Sequence, residues 1–195
     1  MAKAVRIGGA CGFFGDSSLA PTQLLRAGCD YLILDYLAEA TMSALGMMKR
    51  HRDTLGYATD FTEWVWKDNL QELKRTGTRI VTNAGGVNPK ACVARMEHFA
   101  REAGLSFKIA IVEGDDLMDR LDEVSDQTEM FTNTPFPPKD KIITANAYFG
   151  ATPIARALAM GADIVITGRA VDSALTLGIL CHEFNWREDE YDKLS

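Results

Sequence analysis

The sequence lacks the features that mark several large classes of protein. It has no Lys/Arg-rich block, and its 27 Asp and Glu residues outnumber its 21 Lys and Arg residues, so no surface that follows nucleic-acid phosphates is predicted. No apolar run is long enough to span a bilayer, and the N-terminus has no signal-peptide core. These absences predict a soluble, cytoplasmic protein that binds neither nucleic acid nor membrane.

Residue patterns for several kinds of chemistry are also missing. The 4 cysteines form no CxxC pair, and the 3 histidines do not lie at zinc-ligand spacing, so we expect reduced thiols and no zinc site. The GxSxG nucleophile elbow is absent, which disfavours classical hydrolase chemistry. Neither the GxGxxG fingerprint nor the GKS/GKT ending of a P-loop occurs.

The sequence does contain enough apolar residues for one packed domain. It has 195 residues, of which 47% are hydrophobic. A domain of this size buries roughly 70% of the surface that its unfolded chain exposes. We therefore treat residues 1–195 as one domain with its own core.

One unit recurs along the chain: a helix ends at a glycine, a short apolar strand follows, and polar or glycine residues come next. It occurs four times, and the strands read YLILDY (31–36), RIVTNAGG (79–86), FKIAIVEGDD (107–116) and DIVITGR (163–169). Their cores are continuously apolar, as is typical of parallel strands covered on both faces. Residues 5–7 and 141–144 complete six candidate strands.

This alternation predicts an α/β fold, with a mostly parallel sheet and helices on both of its faces. We prefer a doubly wound open sheet, and part of a TIM-type barrel is the alternative. Asn88-Pro89 and Thr152-Pro153 each predict a helix start. Asp60 is a candidate cap for a helix whose apolar face is expected to pack on the core. The apolar face contains Phe61, Trp64, Val65, Leu70 and Leu73. Residues 121–140 are predicted to form a long loop.

Candidate functional residues follow from the strand ends, because ligands of parallel sheets bind where the loops after the strands converge. The polar groups at these ends are Asp16, Asp35, Glu39, Asn83, Asn88, Glu113, Asp115, Asp116, Asn146, Tyr148, Arg169 and Asp172. Among them we select Asp35, Glu113, Asp115 and Asp116 as candidate catalytic carboxylates. We select Asn146 as a candidate ligand-binding residue.

The first loop, GGACGFFGDS, is rich in glycine. Gly9, Gly12 and Gly15 recur every three residues before a helix that Ser17 or Ser18 is expected to cap. The backbone could hold a phosphate of a nucleotide or of coenzyme A, with Asp16 beside it. A plain tight turn is the alternative.

Two further motifs suit ligand contact. TNAGGVNP holds Asn83, Gly85, Gly86 and Asn88 in front of a helix, so its backbone can approach a ligand, although Asn88 also suits a helix cap. TGRAVDSA brings Arg169 and Asp172 to the end of the last strand. There Arg169 could hold a carboxylate or phosphate, or pair with Asp172.

The motif VEGDD brings three carboxylates to one strand end. Glu113, Asp115 and Asp116 would repel one another unless a proton, a cation or an arginine intervenes. Mg²⁺ binding and general acid/base chemistry both fit such a cluster. The alternative is that Asp115 or Asp116 caps the next helix while the rest are solvated.

Several of these segments together resemble the acyclic terpene utilisation family. The segments are GGACGFFGD, LDYLAEATM, GYATDF, RIVTNAGGVNP, VEGDD, ANAYFGATPIARAL and GADIVITGRAVDSAL, followed by HEFNW, and they cover nearly the whole chain. The resemblance implies a place in the degradation of citronellol and geraniol through coenzyme A thioesters. It also implies that the domain continues beyond residue 195, so that a site shared with that continuation would be incomplete.

Two functional hypotheses follow. In the first, the chain is an enzyme or enzyme subunit that acts on a branched acyl or acyl-coenzyme A intermediate, with Arg169 on the anionic group and the carboxylates handling protons or Mg²⁺. In the second, it is a noncatalytic binding or scaffold subunit. A small-molecule substrate is the expected partner, together with a second copy of the chain or the missing C-terminal part.

Overall fold

In the computed structural model, which describes residues 3–194, five strands form one parallel sheet. The strands are β1 (Ile7–Cys11), β2 (Tyr31–Leu34), β3 (Arg79–Thr82), β4 (Ile109–Val112) and β5 (Ile164–Thr167), in the spatial order β1-β2-β3-β5-β4. The α/β class is confirmed. β5 lies between β3 and β4, which differs from the sequential strand order of a TIM barrel.

Helices connect these strands. They are α1 (Ala20–Arg26), α2 (Glu39–His51), α3 (Lys67–Thr76), α4 (Pro89–Glu102), α5 (Ala151–Ala159), α6 (Ala174–Phe184) and α7 (Tyr191–Leu194), with a π-helix at Phe61–Trp66 and 3₁₀ turns at Met118–Glu123 and Lys139–Lys141. The predicted glycines Gly28, Gly77, Gly104 and Gly161 all have positive φ, as left-handed residues after helices do. No helix within the described range is long and apolar enough to cross a membrane.

The strand order explains why both faces of the sheet are covered. From β1 to β4 the chain advances across the sheet in one direction, and its helices pack into one cluster with Leu45 of α2, Leu73 of α3 and Met96 of α4. From β4 to β5 the chain turns back, so a right-handed crossover puts α5 on the opposite face. There Ile154 of α5 and Ile179 of α6 belong to a second cluster.

One predicted strand was wrong. Residues 141–144 form no strand: Lys139–Lys141 make a 3₁₀ turn, and the Ile142 carbonyl accepts a hydrogen bond from Arg50 at 2.5 Å. The Ile143 side chain packs at Gly46 of α2. These β-branched residues therefore cover α2 and do not join the sheet, which has five strands within residues 3–194.

The helix starts and the apolar face were predicted with mixed success. Asn88 caps α4 as expected, whereas α5 begins at Ala151, so Thr152 lies inside the helix and is not its cap. The π-helix changes the register of the apolar face: Phe61 is buried, but Trp64 is 44% exposed and Trp66 occupies the core. The segment 121–140 is a loop beyond its two 3₁₀ turns, as predicted.

Candidate functional site

The strand order creates a crevice at the carboxyl edge of the sheet. β3 and β5 are neighbours, yet the chain leaves β3 for α4 on one face and leaves β5 for α6 on the other. The two loops that follow these strands, residues 83–88 and 168–173, therefore diverge. Ligands of parallel sheets bind at such a switch point.

Arg169 lies at this switch point and is almost fully buried, with 5% of its surface exposed. Its Nη1 donates to the Leu37 carbonyl at 2.6 Å. Its Nη2 donates to the Tyr148 hydroxyl at 3.0 Å, and the guanidinium lies over the Tyr148 ring at 4.2 Å from the centroid. The structure thus holds one guanidinium by a backbone oxygen on one side and an aromatic ring on the other.

The charge of Arg169 is balanced by two side chains that remain in solvent. Glu39 and Asp172 lie 3.3 Å and 3.4 Å from the guanidinium, and their side chains are 80% and 77% exposed. Both distances are longer than the range of about 2.7–2.9 Å that charge-assisted hydrogen bonds prefer. A ligand carboxylate or phosphate can therefore replace them without uncovering a buried acid.

Tyr148 links Arg169 to Glu39. The Tyr148 hydroxyl accepts from Arg169 and donates to Glu39 Oε1. This hydrogen bond, then one from the Glu39 backbone N–H and then the charge of Arg169, lowers the pKa of Glu39 below its usual range. Glu39 is thus an ionised carboxylate beside a buried cation at neutral pH.

The start of α2 adds partial positive charge at the same place. α2 begins at Glu39, and the preceding Ala38 provides no side-chain cap. The first N–H groups of a helix have no acceptor within it, so those of Ala40 and Thr41 lack a helical partner. Together with Arg169 they favour an anion.

Asp115 holds the backbone of Arg169 by a hydrogen bond. Its Oδ2 accepts from the Arg169 backbone N–H at 2.7 Å and from Asn146 Nδ2 at 2.9 Å. Burial raises the pKa of Asp115 above its usual range. Its carboxylate packs so closely on Gly168 that a Cβ there would lie 2.5 Å from Oδ1 and 2.6 Å from Cγ. Asp115 positions the Arg169 backbone, and the structure leaves its predicted catalytic role untested.

The ends of β2 and β3 are tied together by Asp35 and Asn83. Asn83 is fully buried, donates to Asp35 Oδ1 at 2.6 Å and accepts from the Tyr36 backbone N–H at 2.8 Å. Asp35 also accepts from the Leu37 backbone N–H at 3.2 Å. These bonds fix the segment whose Leu37 carbonyl receives Arg169.

The glycines of the loop after β3 are explained by packing. A Cβ on Gly85 would lie 2.6 Å from the Thr167 carbonyl, and one on Gly86 would lie 2.7 Å from the Gly56 carbonyl. Asn88 caps α4 and also donates to the carbonyls of Asp53 and Leu55. The structure gives each residue a packing or capping contact, and ligand approach by this loop stays a prediction.

The first loop differs from its predicted form. β1 runs through Gly9 to Cys11, so Gly9 belongs to a strand and not to a phosphate loop. The N–H of Gly12 donates to Asp16 at 2.9 Å, and that of Gly15 donates to Asp60 at 2.8 Å. Carboxylates of the protein thus occupy the backbone donors that a phosphate would need, which agrees better with the tight-turn alternative.

The three carboxylates of VEGDD point in different directions. Glu113 pairs with Lys90 at 3.3 Å, while Asp116 accepts from the Met118 N–H at the start of the following 3₁₀ turn. Across residues 3–194, no group of three or more His, Cys, Asp and Glu side chains is arranged to hold a metal ion. A groove of about 250 Å³ lies between the loops after β3 and β4, and it is lined by Asp115, Glu113, Asp116, Lys49 and Lys90.

Two larger grooves, each about 540 Å³, flank α5. Their linings are mostly apolar and do not include Arg169 or the loop after β3. The convergence of polar groups at the carboxyl edge is therefore a better guide to a ligand site than volume alone.

The rule that ligands bind at strand ends selected Arg169, Asp172 and Asp115, which lie close together. It did not lead us to select Tyr148, Glu39 or Gly168. Phe149 pairs with the segment after β5, because its N–H donates to the Arg169 carbonyl at 3.1 Å. This pairing brings Tyr148 over the guanidinium. A contact between two loops 21 residues apart leaves no periodic signal in a sequence.

A buried carboxylate beneath the first loop makes stability depend on pH. Asp60 is 7% exposed; its Oδ2 accepts from Gly15, whereas its Oδ1 is buried without a partner. Burial raises the pKa of Asp60 above its ordinary 3.8. A raised carboxyl pKa means that the folded state prefers the neutral form, so this residue destabilises the fold as the pH rises from about 3.8 upward through the folded pKa.

We expect wild type to lose stability relative to Asp60→Asn as the pH rises through this window. Urea unfolding at a series of pH values measures the difference in unfolding free energy, and the other carboxyl groups cancel because both proteins contain them. Asp16→Asn in the exposed part of the same loop is the control. If the unfolding free energies of wild type and Asp60→Asn changed with pH in parallel, the pKa of Asp60 would be the same in the folded and unfolded states, against this prediction.

A comparison with known protein families agrees with these motifs. Residues 5–195 match the model of the acyclic terpene utilisation family protein AtuA. No curated protein and no solved structure shows a detectable match to the chain.

Proposed function

The chain belongs to the acyclic terpene utilisation family, and on that premise we propose that it is an enzyme, or an enzyme subunit, that binds a branched acyl or acyl-coenzyme A intermediate of this utilisation. The observation that carries the proposal is the buried guanidinium of Arg169 at the switch point, paired only with exposed carboxylates that a ligand can replace.

The charge and the geometry around Arg169 suit an acyl group. Two N–H groups of a guanidinium can bind a carboxylate, or one can bind a thioester oxygen as negative charge develops on it. Tyr148 shields the guanidinium from water on one side, which strengthens the electrostatic interaction. The start of α2 adds further attraction for an anion.

Glu39 and Asp172 are the carboxylates nearest to a ligand in this position. Proton removal next to a carbonyl needs a base within reach and a positive group on the carbonyl oxygen, and Arg169 with Glu39 provides both. Glu113, Asp115 and Asp116 were the predicted catalytic groups. In the proposal Asp115 positions Arg169, and the other two lie at the neighbouring groove.

We place the phosphates of coenzyme A or of a nucleotide, with Mg²⁺ bound to them, in the groove beside Asp115. Lys49 and Lys90 line it, and Asp115 connects it to Arg169 through the Arg169 backbone. Glu113 and Asp116 lie on its wall, where phosphate-bound Mg²⁺ could gain one or two protein ligands, as is usual for Mg²⁺.

One feature favours a noncatalytic scaffold as the second candidate. Met130 and Phe131 are 80% and 82% exposed, and the turn that carries them is hydrogen-bonded: Glu129 accepts from the N–H of Phe131 and from the hydroxyl of Thr132. Large apolar side chains held in solvent by a structured turn are typical of a protein contact.

Thermal unfolding with added ligands tests whether the chain binds a ligand of this class, as the enzyme proposal requires and a pure scaffold does not. Coenzyme A, citronellate, ATP and Mg²⁺ are the probes, alone and combined. A ligand at about 100 times its Kd stabilises the native state by about 2.7 kcal/mol, which corresponds to a rise in Tm of about 5–11 °C for a domain of this size. The enzyme proposal expects such a rise with an acyl or coenzyme A ligand. A cooperative transition that no probe moves would favour the scaffold.

A further inference from the structure

The sheet has one edge that is suited to pairing. β4 pairs with β5 alone among the described strands, and its residues Ile109, Ala110 and Ile111 are only partly buried. At the other edge, the pairing of β1 with β2 is interrupted by a register shift between Gly9 and Cys11. Such irregularities protect an edge from association, and β4 has none.

The backbone of β4 alternates between its partner strand and the free side. The Lys108 carbonyl accepts from the N–H groups of Asp163 and Ile164, so Lys108 faces β5. Because alternate residues of a strand direct their N–H and C=O groups to opposite sides, Ile109 and Ile111 direct theirs to the free side. These groups need hydrogen-bond partners that an apolar ligand lacks and another strand supplies.

We propose that β4 pairs antiparallel with β4 of a second copy of the chain, about a twofold axis at Ala110. In an antiparallel pair, two opposite residues direct their backbone groups either both toward the other strand or both away from it, so an odd-numbered residue must face an odd-numbered one. An axis at Ala110 puts Ile109 of each copy opposite Ile111 of the other copy. β-Branched pairs of this kind stabilise sheets, and Ala110 allows close approach at the axis.

Charged side chains lie at both ends of the strand. Phe107 precedes β4, and the Lys74 ammonium lies 5.0 Å from its ring centroid. Glu113 follows β4 and lies on the same face, where it pairs with Lys90 of α4. The proposed register puts Phe107, with its lysine, opposite Glu113 of the second copy. The antiparallel arrangement therefore places Lys74 of each copy on the side of Glu113 of the other, where the carboxylate lies between two lysines.

The groove beside β4 also suits contact with a second copy of the chain. A groove of about 540 Å³ lies beside β4 and α5, and Met160 in its wall is 85% exposed. A twofold axis perpendicular to the sheet keeps both α5 helices on one face, so the grooves of the two copies meet there. The contact covers the exposed methionine and continues one sheet through both chains.

Sedimentation equilibrium tests the association with a matched pair of variants. Wild type is expected to reach twice the chain mass of 21.5 kDa as its concentration rises. Ile111→Pro removes the outward N–H and breaks no backbone hydrogen bond to β5, as edge strands tolerate, so it should remain folded by circular dichroism and stay monomeric. Ile111→Val keeps the N–H and should still dimerise. A wild type that stays monomeric at millimolar concentration would overturn the proposal.

Oxidative crosslinking tests the register. Across an antiparallel pair that is not hydrogen-bonded the Cα atoms are about 4.5 Å apart, within the span of a disulfide. Ala110→Cys should therefore form a covalent dimer within the folded protein, whereas Ile111→Cys and wild type should form little. Equal crosslinking of the two variants, or a dimer that survives Ile111→Pro and is lost in Met130→Ser/Phe131→Ser, would contradict the β4 contact.

Discussion

Replacing Gly168 with alanine is expected to destabilise the native state by about 3 kcal/mol. The added methyl would lie 2.5 Å from Asp115 Oδ1 and 2.6 Å from its Cγ, which no rotamer of the alanine can relieve. The carboxylate must move, and the Arg169 backbone N–H and Asn146 would lose their acceptor. Urea unfolding measures the loss as a lower midpoint at unchanged slope.

Two variants make the Gly168 result specific. Gly9→Ala is the control, because a Cβ there meets no atom within 4 Å, and it should change stability far less. Gly168→Ala combined with Asp115→Ala creates space for the methyl, so the two changes should cost less together than the sum of their separate costs. Strict additivity would show that Gly168 and Asp115 are not coupled and would remove the packing argument.

Replacing Arg169 with glutamine is expected to weaken the binding of an acyl or coenzyme A ligand by about 100-fold or more, because a desolvated charge-assisted contact is lost. Arg169→Lys keeps the charge but loses the two-pronged geometry and the stacking on Tyr148, so we expect a smaller loss, about 10-fold. Isothermal titration against the ligand identified by thermal unfolding gives both values.

The Arg169 variants also affect the fold, because the Leu37 carbonyl loses its donor at a cost of about 1–3 kcal/mol. Affinity must therefore be compared at a temperature where each variant is folded. Arg187→Gln, which removes an exposed arginine paired with Asp189, is the control and should bind as wild type does. Unchanged affinity in Arg169→Gln would remove Arg169 from the ligand site.

Most of the fold could be predicted because its signals are local. Continuous apolar runs after glycines marked β2 to β5, and Asn88-Pro89 marked the start of α4. The failures involve contacts between distant segments. Ile142 and Ile143 have strand-like side chains, but their place beside Arg50 and Gly46 depends on where α2 lies.

The site was predicted only in part, for a similar reason. The rule for strand ends identifies neighbourhoods, so it placed Arg169 and Asp115 near each other, but it does not give side-chain directions, and their ligand-binding role stays a prediction. Three adjacent carboxylates therefore suggested a metal cluster, whereas Glu113 pairs with Lys90 and Asp116 accepts from the Met118 N–H. The role of Tyr148 depends on the pairing of Phe149 with the Arg169 backbone, which no local pattern encodes.

A crystal structure of the protein with a bound acyl-coenzyme A or branched acyl carboxylate tests the central claim most directly. The account predicts a ligand oxygen within hydrogen-bond distance of the Arg169 guanidinium, with Glu39 or Asp172 displaced from its place about 3.3–3.4 Å away. A ligand bound elsewhere, with Arg169 still held by Glu39 and Asp172, would contradict it.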